Sequence, residues 1–265
     1  MTAVSAELVA VVERSPAATD IHDRAAWVAL FTADGRVEDP YGSSPCIGHE
    51  EIGRFYDTFI GPRQIIFHRD VDAVAGRTVV RDLMLEIVMA PDVSLNVPMH
   101  IRYHLREVEG DWAVERLCAH WELPLMVVQM LRNGAKSLPP SLRLAANLLR
   151  NQGLAGTAGF VAGFRRPGER DKRCVRSYLD AAVAGDELAA RRAAGHDATV
   201  CIGEGSPVAM GALVDRLRGG RCTKLIAAGD TVSASVITPA GRAVIFCEMP
   251  RAAGGIRRVR YFGSS

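Results

Sequence analysis

Long apolar runs are missing from this sequence: none reaches the ~20 residues that a membrane-spanning helix needs. Aromatic residues are only 6% of the chain, and no basic stripe interleaves with them. With a net charge of +2, that argues against a nucleic-acid binder. The six cysteines form no CxxC pair and no zinc spacing, so reduced thiols in a cytoplasm are expected. There is no HxH or HExxH pair, and the glycines of "CIGEGS" carry no P-loop or dinucleotide fingerprint. Neither a metal nor a cofactor is expected. The opening "MTAVSAELVAVVERS" has glutamates where a signal peptide has basic residues, which also predicts a cytoplasmic protein.

What is present is a globular composition, 48% hydrophobic and 23% charged, in 265 residues, enough for two domains. Residues 4–14 and 23–31 read as short amphipathic helices, and "GRVEDP" as a strand closed by Pro40, which cannot extend a ladder. Ile52, Phe55, Tyr56, Phe59 and Ile60 recur at helical spacing until Gly61-Pro62 stops the helix. Four strand-like segments follow. In the third, Val97, Met99, Ile101, Tyr103 and Leu105 alternate with Pro98, His100, Arg102, His104 and Arg106, the period of a half-buried strand. His100 and His104 therefore read as structural or solvated residues of its polar side. Asp82 and Glu86 read as outward-facing, and Glu38 as solvated. After "PGERDKR" the same order returns in shorter form: helix, "ATVCIG" strand, helix, then strands to residue 262. Helices first and strands afterwards predict an α+β fold in two copies. The expected boundaries are 1–125, a connector over 126–171, and 172–265.

At "VEDPYGSSPCIGHEEIGRFY", preceded by "WVALFTADGR" and followed by "HIRYHL" and "CAHWEL", the chain resembles the ketosteroid isomerases of the NTF2-like (SnoaL-like) superfamily. The resemblance spans roughly residues 5–123 and, more weakly, 174–262. It implies two cones, each a curved antiparallel sheet closed by helices around an apolar pocket, paired through their sheets as an intramolecular pseudo-dimer. It also places Asp39 on the general base, a role for which an apolar pocket raises a carboxylate's pKa. Tyr56, Met99 and Trp121 fall on the pocket wall. The family's oxyanion-donating tyrosine and acid map onto Ser15 and Met99, and a methionine cannot donate. In the second copy Tyr178 and Glu248 fall on those donor positions, while Ile202 occupies the base position, with Glu204 two residues on.

These residues point to an isomerase-like enzyme moving a proton on a hydrophobic small molecule, with no nucleic-acid partner. Two alternatives stand beside it: epoxide opening or cyclisation, which needs a second carboxylate, and a non-catalytic carrier or sensor of an apolar ligand. Residues 123–168 contain no acid but six basic residues, Arg132, Lys136, Arg143, Arg150, Arg165 and Arg166, among many Leu, Val, Met and Phe. That composition suits either helices packed across the cones or an interfacial helix on an anionic membrane.

Overall fold

Two helices start the first unit of the computed structural model, which describes residues 2–134, 139, 142, 144, 146–148, 150, 151, 159, 160, 166–250 and 255–264. Thr2 caps α1 (Ala3–Asp20) by accepting from the Ser5 amide, and Asp23 caps α2 (Arg24–Ala29) by accepting from the Ala26 amide. The chain then lays down β1 (Phe31–Glu38) and β2 (Cys46–Ile47). Helix α3 (Gly48–Phe55) runs on into a π-helical turn, Tyr56–Ile60. The long strands β3 (Gln64–Ala75), β4 (Thr78–Ala90), β5 (Val93–Val108) and β6 (Asp111–His120) complete one sheet in the order β2-β1-β6-β5-β4-β3. Only the β1–β6 pairing is parallel.

Helix α4 (Leu123–Arg132) leaves this unit. The second unit begins with α5 (Glu169–Ala184) and α6 (Glu187–Ala194). Strands β7 (Thr199–Ile202) and β8 (Pro207–Val208) come next, followed by α7 (Met210–Leu217). Strands β9 (Arg221–Ala228), β10 (Thr231–Thr238), β11 (Gly241–Glu248) and β12 (Arg258–Gly263) finish it. The order is β8-β7-β12-β11-β10-β9, again with one parallel pairing, β7 with β12. The two sheets trace the same path. The α+β class and its repetition in two cones are therefore features of the fold.

Alternation along the strands gives each sheet two buried faces. On β5, Val97, Met99, Ile101 and Tyr103 point into the first core, which the helices close with Leu8, Val12, Trp27, Ile52 and Phe55. On β10 and β11, Val232, Ala234, Val236, Ile245 and Cys247 meet Val175, Tyr178, Leu179, Leu213 and Leu217 of the second. The opposite faces meet each other. Ala73 and Val80 of the first sheet pack against Val244, Phe246 and Phe262 of the second.

That contact corrects the reading of the polar strand faces. His100 is fully buried, its ring nitrogens 2.7 Å from Ser233 Oγ and 2.8 Å from Ser235 Oγ. Ser235 Oγ also donates to Asp82 Oδ2 at 2.5 Å, and the Lys224 ammonium pairs with the same carboxylate. Asp82 is thus a buried inter-unit residue and not a solvated one. Glu38 likewise is largely covered, paired with Arg116 at 2.5 Å. A polar face with period two looks identical in sequence whether it meets water or a second polar sheet. Glu122 adds a further tie: one carboxylate accepts from the Ala227 amide at 3.0 Å and pairs with Lys172 at 2.5 Å and Arg166 at 3.2 Å.

At one end of this interface the two backbones touch. A Cβ on Gly42 (φ +93°) would sit 2.4 Å from the Gly229 Cα, with the φ of Gly229 also positive at +60°. Gly42→Ala is expected to destabilise by clearly more than the ~1 kcal/mol that left-handed backbone alone costs. Gly76→Ala is the control, because Gly76 (φ +58°) has nothing within 4 Å of an added Cβ. Equal losses in denaturant melts of the two variants would contradict the close approach.

Part of the connector expected over 126–171 lies outside the described residues, including Lys136, Arg143 and Arg165. Its described apolar residues divide. Leu148 is buried, and Phe160 stacks on Phe59 at 5.1 Å between ring centroids. Leu131 and Leu142 are 73% and 70% exposed.

Candidate active site

Asp39 follows the last residue of β1, where Pro40 ends the ladder. Val37 and Asp39 face into the cone and Glu38 faces out to Arg116, as the pleat dictates. The parallel pairing of Glu38 with Cys118 carries the end of β1 alongside the exit of β6. Trp121, three residues past Cys118, lies beside the carboxylate and donates from Nε1 to Asp39 Oδ1 at 2.5 Å.

Around this pair lies a cavity of about 110 Å³ with a strongly apolar wall, including Phe55, Phe67, Leu85, Val97, Met99 and Ile101. It shares Val37, Asp39, Phe55, Phe59 and Phe160 as lining with a neighbouring pocket of about 380 Å³. Leu144, Leu148 and Phe160 of the connector line this cavity system, and the Ser44 amide donates to the Gly159 carbonyl at 3.2 Å beside it. Burial among these groups pushes the Asp39 carboxyl up to about 6, and the Trp121 hydrogen bond only partly offsets that. Asp39 is the one carboxylate among the described residues lining the inner cavity.

Three other polar groups of the lining form a relay. Trp27 Nε1 donates to Ser15 Oγ at 3.1 Å, and Ser15 in turn hydrogen-bonds to the Tyr103 phenol. All three residues line the cavity, and burial raises the Tyr103 hydroxyl to about 12, so it is a neutral donor at physiological pH. Sequence reasoning placed Ser15 at the position of a missing donor but passed over Tyr103. The strand alternation, which puts Tyr103 on the face of Val97, Met99 and Ile101, was the signal for it. Arg63, two residues after Gly61, also lines the cavity, and nothing in its sequence context marks it.

The expected wall residues divide. Met99 and Trp121 line the cavity. Tyr56 does not. Its ring packs on Trp27 at 5.5 Å between centroids and along Gly61, in the helix layer behind the wall. The helical spacing that grouped Tyr56 with Phe55 and Phe59 could not show which of the three reaches the cavity.

The donor pair expected in the second unit is also corrected. Tyr178 is fully buried in a packed core and its hydroxyl donates to Met210 Sδ at 3.6 Å. Glu248 lies on the opposite face of β11, with Val244 and Phe246, and pairs with Arg257 at 2.9 Å and Arg260 at 2.7 Å. Its neighbour Cys247, like Ile245, is on the face that shares the core with Tyr178. A displacement of one residue moves a side chain through the sheet. Ile202 packs at the edge of the same core, and Glu204 turns to Arg260 at 3.3 Å and Arg102 at 3.8 Å.

Residues 7–104 match the family model of the Nuclear transport factor 2 (NTF2) domain. The first unit is an NTF2-like domain. No curated protein matches the chain significantly. Among solved structures, the chain is similar to a Delta 5-3-ketosteroid isomerase from Mycobacterium sp., at 25% identity over 45% of this chain and 96% of that one, with a TM-score of 0.41. A second is RV0760c from Mycobacterium tuberculosis in complex with estradiol-17beta-hemisuccinate, at 21% identity, the same coverages and a TM-score of 0.41. A third is SalBIII, an epoxide hydrolase/cyclase-like enzyme of pyran ring formation in salinomycin, at 16% identity over 45% of this chain and 94% of that one, TM-score 0.41.

Proposed function

We propose that the first NTF2-like domain is an isomerase-like enzyme in which Asp39 removes and returns a proton next to the carbonyl of a hydrophobic small molecule. The observation that carries this reading is a single carboxylate at an apolar cavity, raised to about 6 and oriented by Trp121. A carboxyl raised to about 6 is still mainly ionised at neutral pH and is a stronger base than an ordinary carboxylate, so it can accept a carbon-bound proton. Negative charge developing on the substrate oxygen needs a donor. Tyr103, backed by Ser15 and Trp27, is the group available, because Met99 stands where a carboxylic acid would otherwise serve. Epoxide opening is less well supported, since the inner cavity offers Asp39 no second carboxylate among the described residues. The second domain acts as scaffold, its core filled around Tyr178 and its outer face spent on the inter-unit contact.

The test is deuterium exchange from D2O into cyclic and β,γ-unsaturated ketones, followed by NMR. Exchange is expected with the wild-type protein, and Tyr103→Phe should lower it about 10²–10³-fold, the usual cost of one oxyanion donor. Ligand binding without exchange across the panel would make the protein a carrier and refute the catalytic reading.

Peripheral membrane association belongs to the same reading. Leu125, Val128 and Leu131 of α4 and Leu142 of the connector are all 40% or more exposed, and Arg132 and Arg150 are exposed as well. Such a surface would let an apolar substrate pass from bilayer to cavity. Binding to anionic vesicles that weakens with salt is expected, lost when Arg132 and Arg150 become Glu; no binding at low ionic strength would reject it.

A further inference from the structure

Arg63 is a cation in the wrong place for a purely neutral ligand. It lines the inner cavity, whose remaining wall is overwhelmingly apolar. Its Nη1 donates to the carbonyls of Thr58 at 2.8 Å and Phe59 at 2.9 Å, which clamps the guanidinium at the end of the π-helical turn. No carboxylate pairs with it among the described residues. The connector cannot supply one either, because residues 123–168 contain neither Asp nor Glu. Other covered arginines of this domain have acids: the buried Arg81 has Asp72 and Glu13, and the half-buried Arg116 has Glu38. Burial without a counter-charge pulls the Arg63 guanidinium below its ordinary range. An unpaired charge held against apolar surface is costly unless something compensates it.

We propose that the ligand of this cavity is an apolar carboxylic acid, whose carboxylate Arg63 receives through Nη2 and Nε while the hydrocarbon body extends along Phe67, Leu85 and Met99 towards Asp39. This deepens the proposed function by naming the substrate class, and it rests on the cavity being the binding site. A single guanidinium with no lysine and no cluster of backbone amides suits a monoanion of planar, two-oxygen geometry. Asp39 sits on the same cavity and would repel an acid bound close to it, so the carboxylate and the reacting carbon lie at separate ends of the substrate.

The experiment is calorimetric titration of the full chain at pH 7.5 with two near-isosteric probes, 1-naphthaleneacetate and 1-naphthaleneacetamide. The acid is expected to bind at least tenfold more tightly, with the preference shrinking in high salt. Arg63→Met should remove the preference while leaving amide binding intact, and Arg63→Lys should keep part of it. Asp39→Asn should preserve or increase the preference. Equal binding of acid and amide, or a preference that survives Arg63→Met, would overturn the assignment and leave the cavity's proposed activity standing. Binding of neither probe would overturn the assignment and the proposed function together. Amide binding by Arg63→Met also shows that the variant has folded.

Discussion

Asp39→Asn is expected to lower proton-transfer activity by about 10²–10⁴-fold, the range for loss of a general base, and at the same time to make the protein more stable at neutral pH. Both effects come from one fact. The folded protein holds the Asp39 carboxyl at about 6, against an ordinary value near 4. Between those two values the folded chain keeps a proton that the unfolded chain has released. Stability attributable to this group therefore falls as pH rises from about 4 to 6 and stays low above that. The lost stability is roughly 3 kcal/mol, taking about two pH units at 1.4 kcal/mol each. An asparagine has no such step and keeps an oxygen to accept from Trp121. The measurement is the difference in unfolding free energy between variant and wild type, by denaturant melts at pH 4, 6 and 7.5. The difference should be near zero at pH 4 and favour the variant at 7.5. A difference that does not change with pH would mean that the carboxylate is well solvated and has no raised pKa to use.

Asp82→Ala is expected to be among the most damaging single substitutions, at about 3 kcal/mol. Asp82 accepts from Ser235 and carries the counter-charge of Lys224, itself only 15% exposed, between the two sheets. Removing one partner of a covered ion pair leaves the other charge uncompensated, which costs about 3–5 kcal/mol. The lower end applies because the half-exposed Asp70 lies 3.8 Å from Lys224 and can take over part of the pairing. The double variant Asp82→Leu/Lys224→Met should recover most of the loss, since it removes both charges and keeps the volume. A double variant as unstable as Asp82→Ala would show that packing, and not the stranded charge, is at fault. The same cluster makes the contact sensitive to acid. Burial pulls the His100 imidazole down to about 4, against the partial opposition of Asp82. The unfolded chain binds a proton to this histidine below about 6.5, whereas the folded chain refuses it until about 4. Its contribution is therefore present at neutral pH and lost as pH falls through that window, the opposite sign to Asp39.

The class of fold, its repetition and the position of Asp39 were legible in the sequence because each is a local pattern. Helices followed by strands, a Pro40 that ends a ladder, and alternation on β5 all follow from backbone geometry within a few residues. So does the assignment of Met99 to an inner face, whereas that of Trp121 came from the resemblance to the ketosteroid isomerases. Tertiary structure decided what those faces meet. The period that marks His100 and Asp82 as polar is the same whether water or Ser235 and Lys224 lie opposite. Glu248 and Cys247 differ by one step along β11, and only the sheet's register against α5 assigns one to the core of Tyr178 and the other to Arg257 and Arg260. Tyr56 and Arg63 were set in the same way. A tyrosine on a helix and an arginine after a turn carry no local mark of a cavity, because a cavity is the space between elements far apart in the chain.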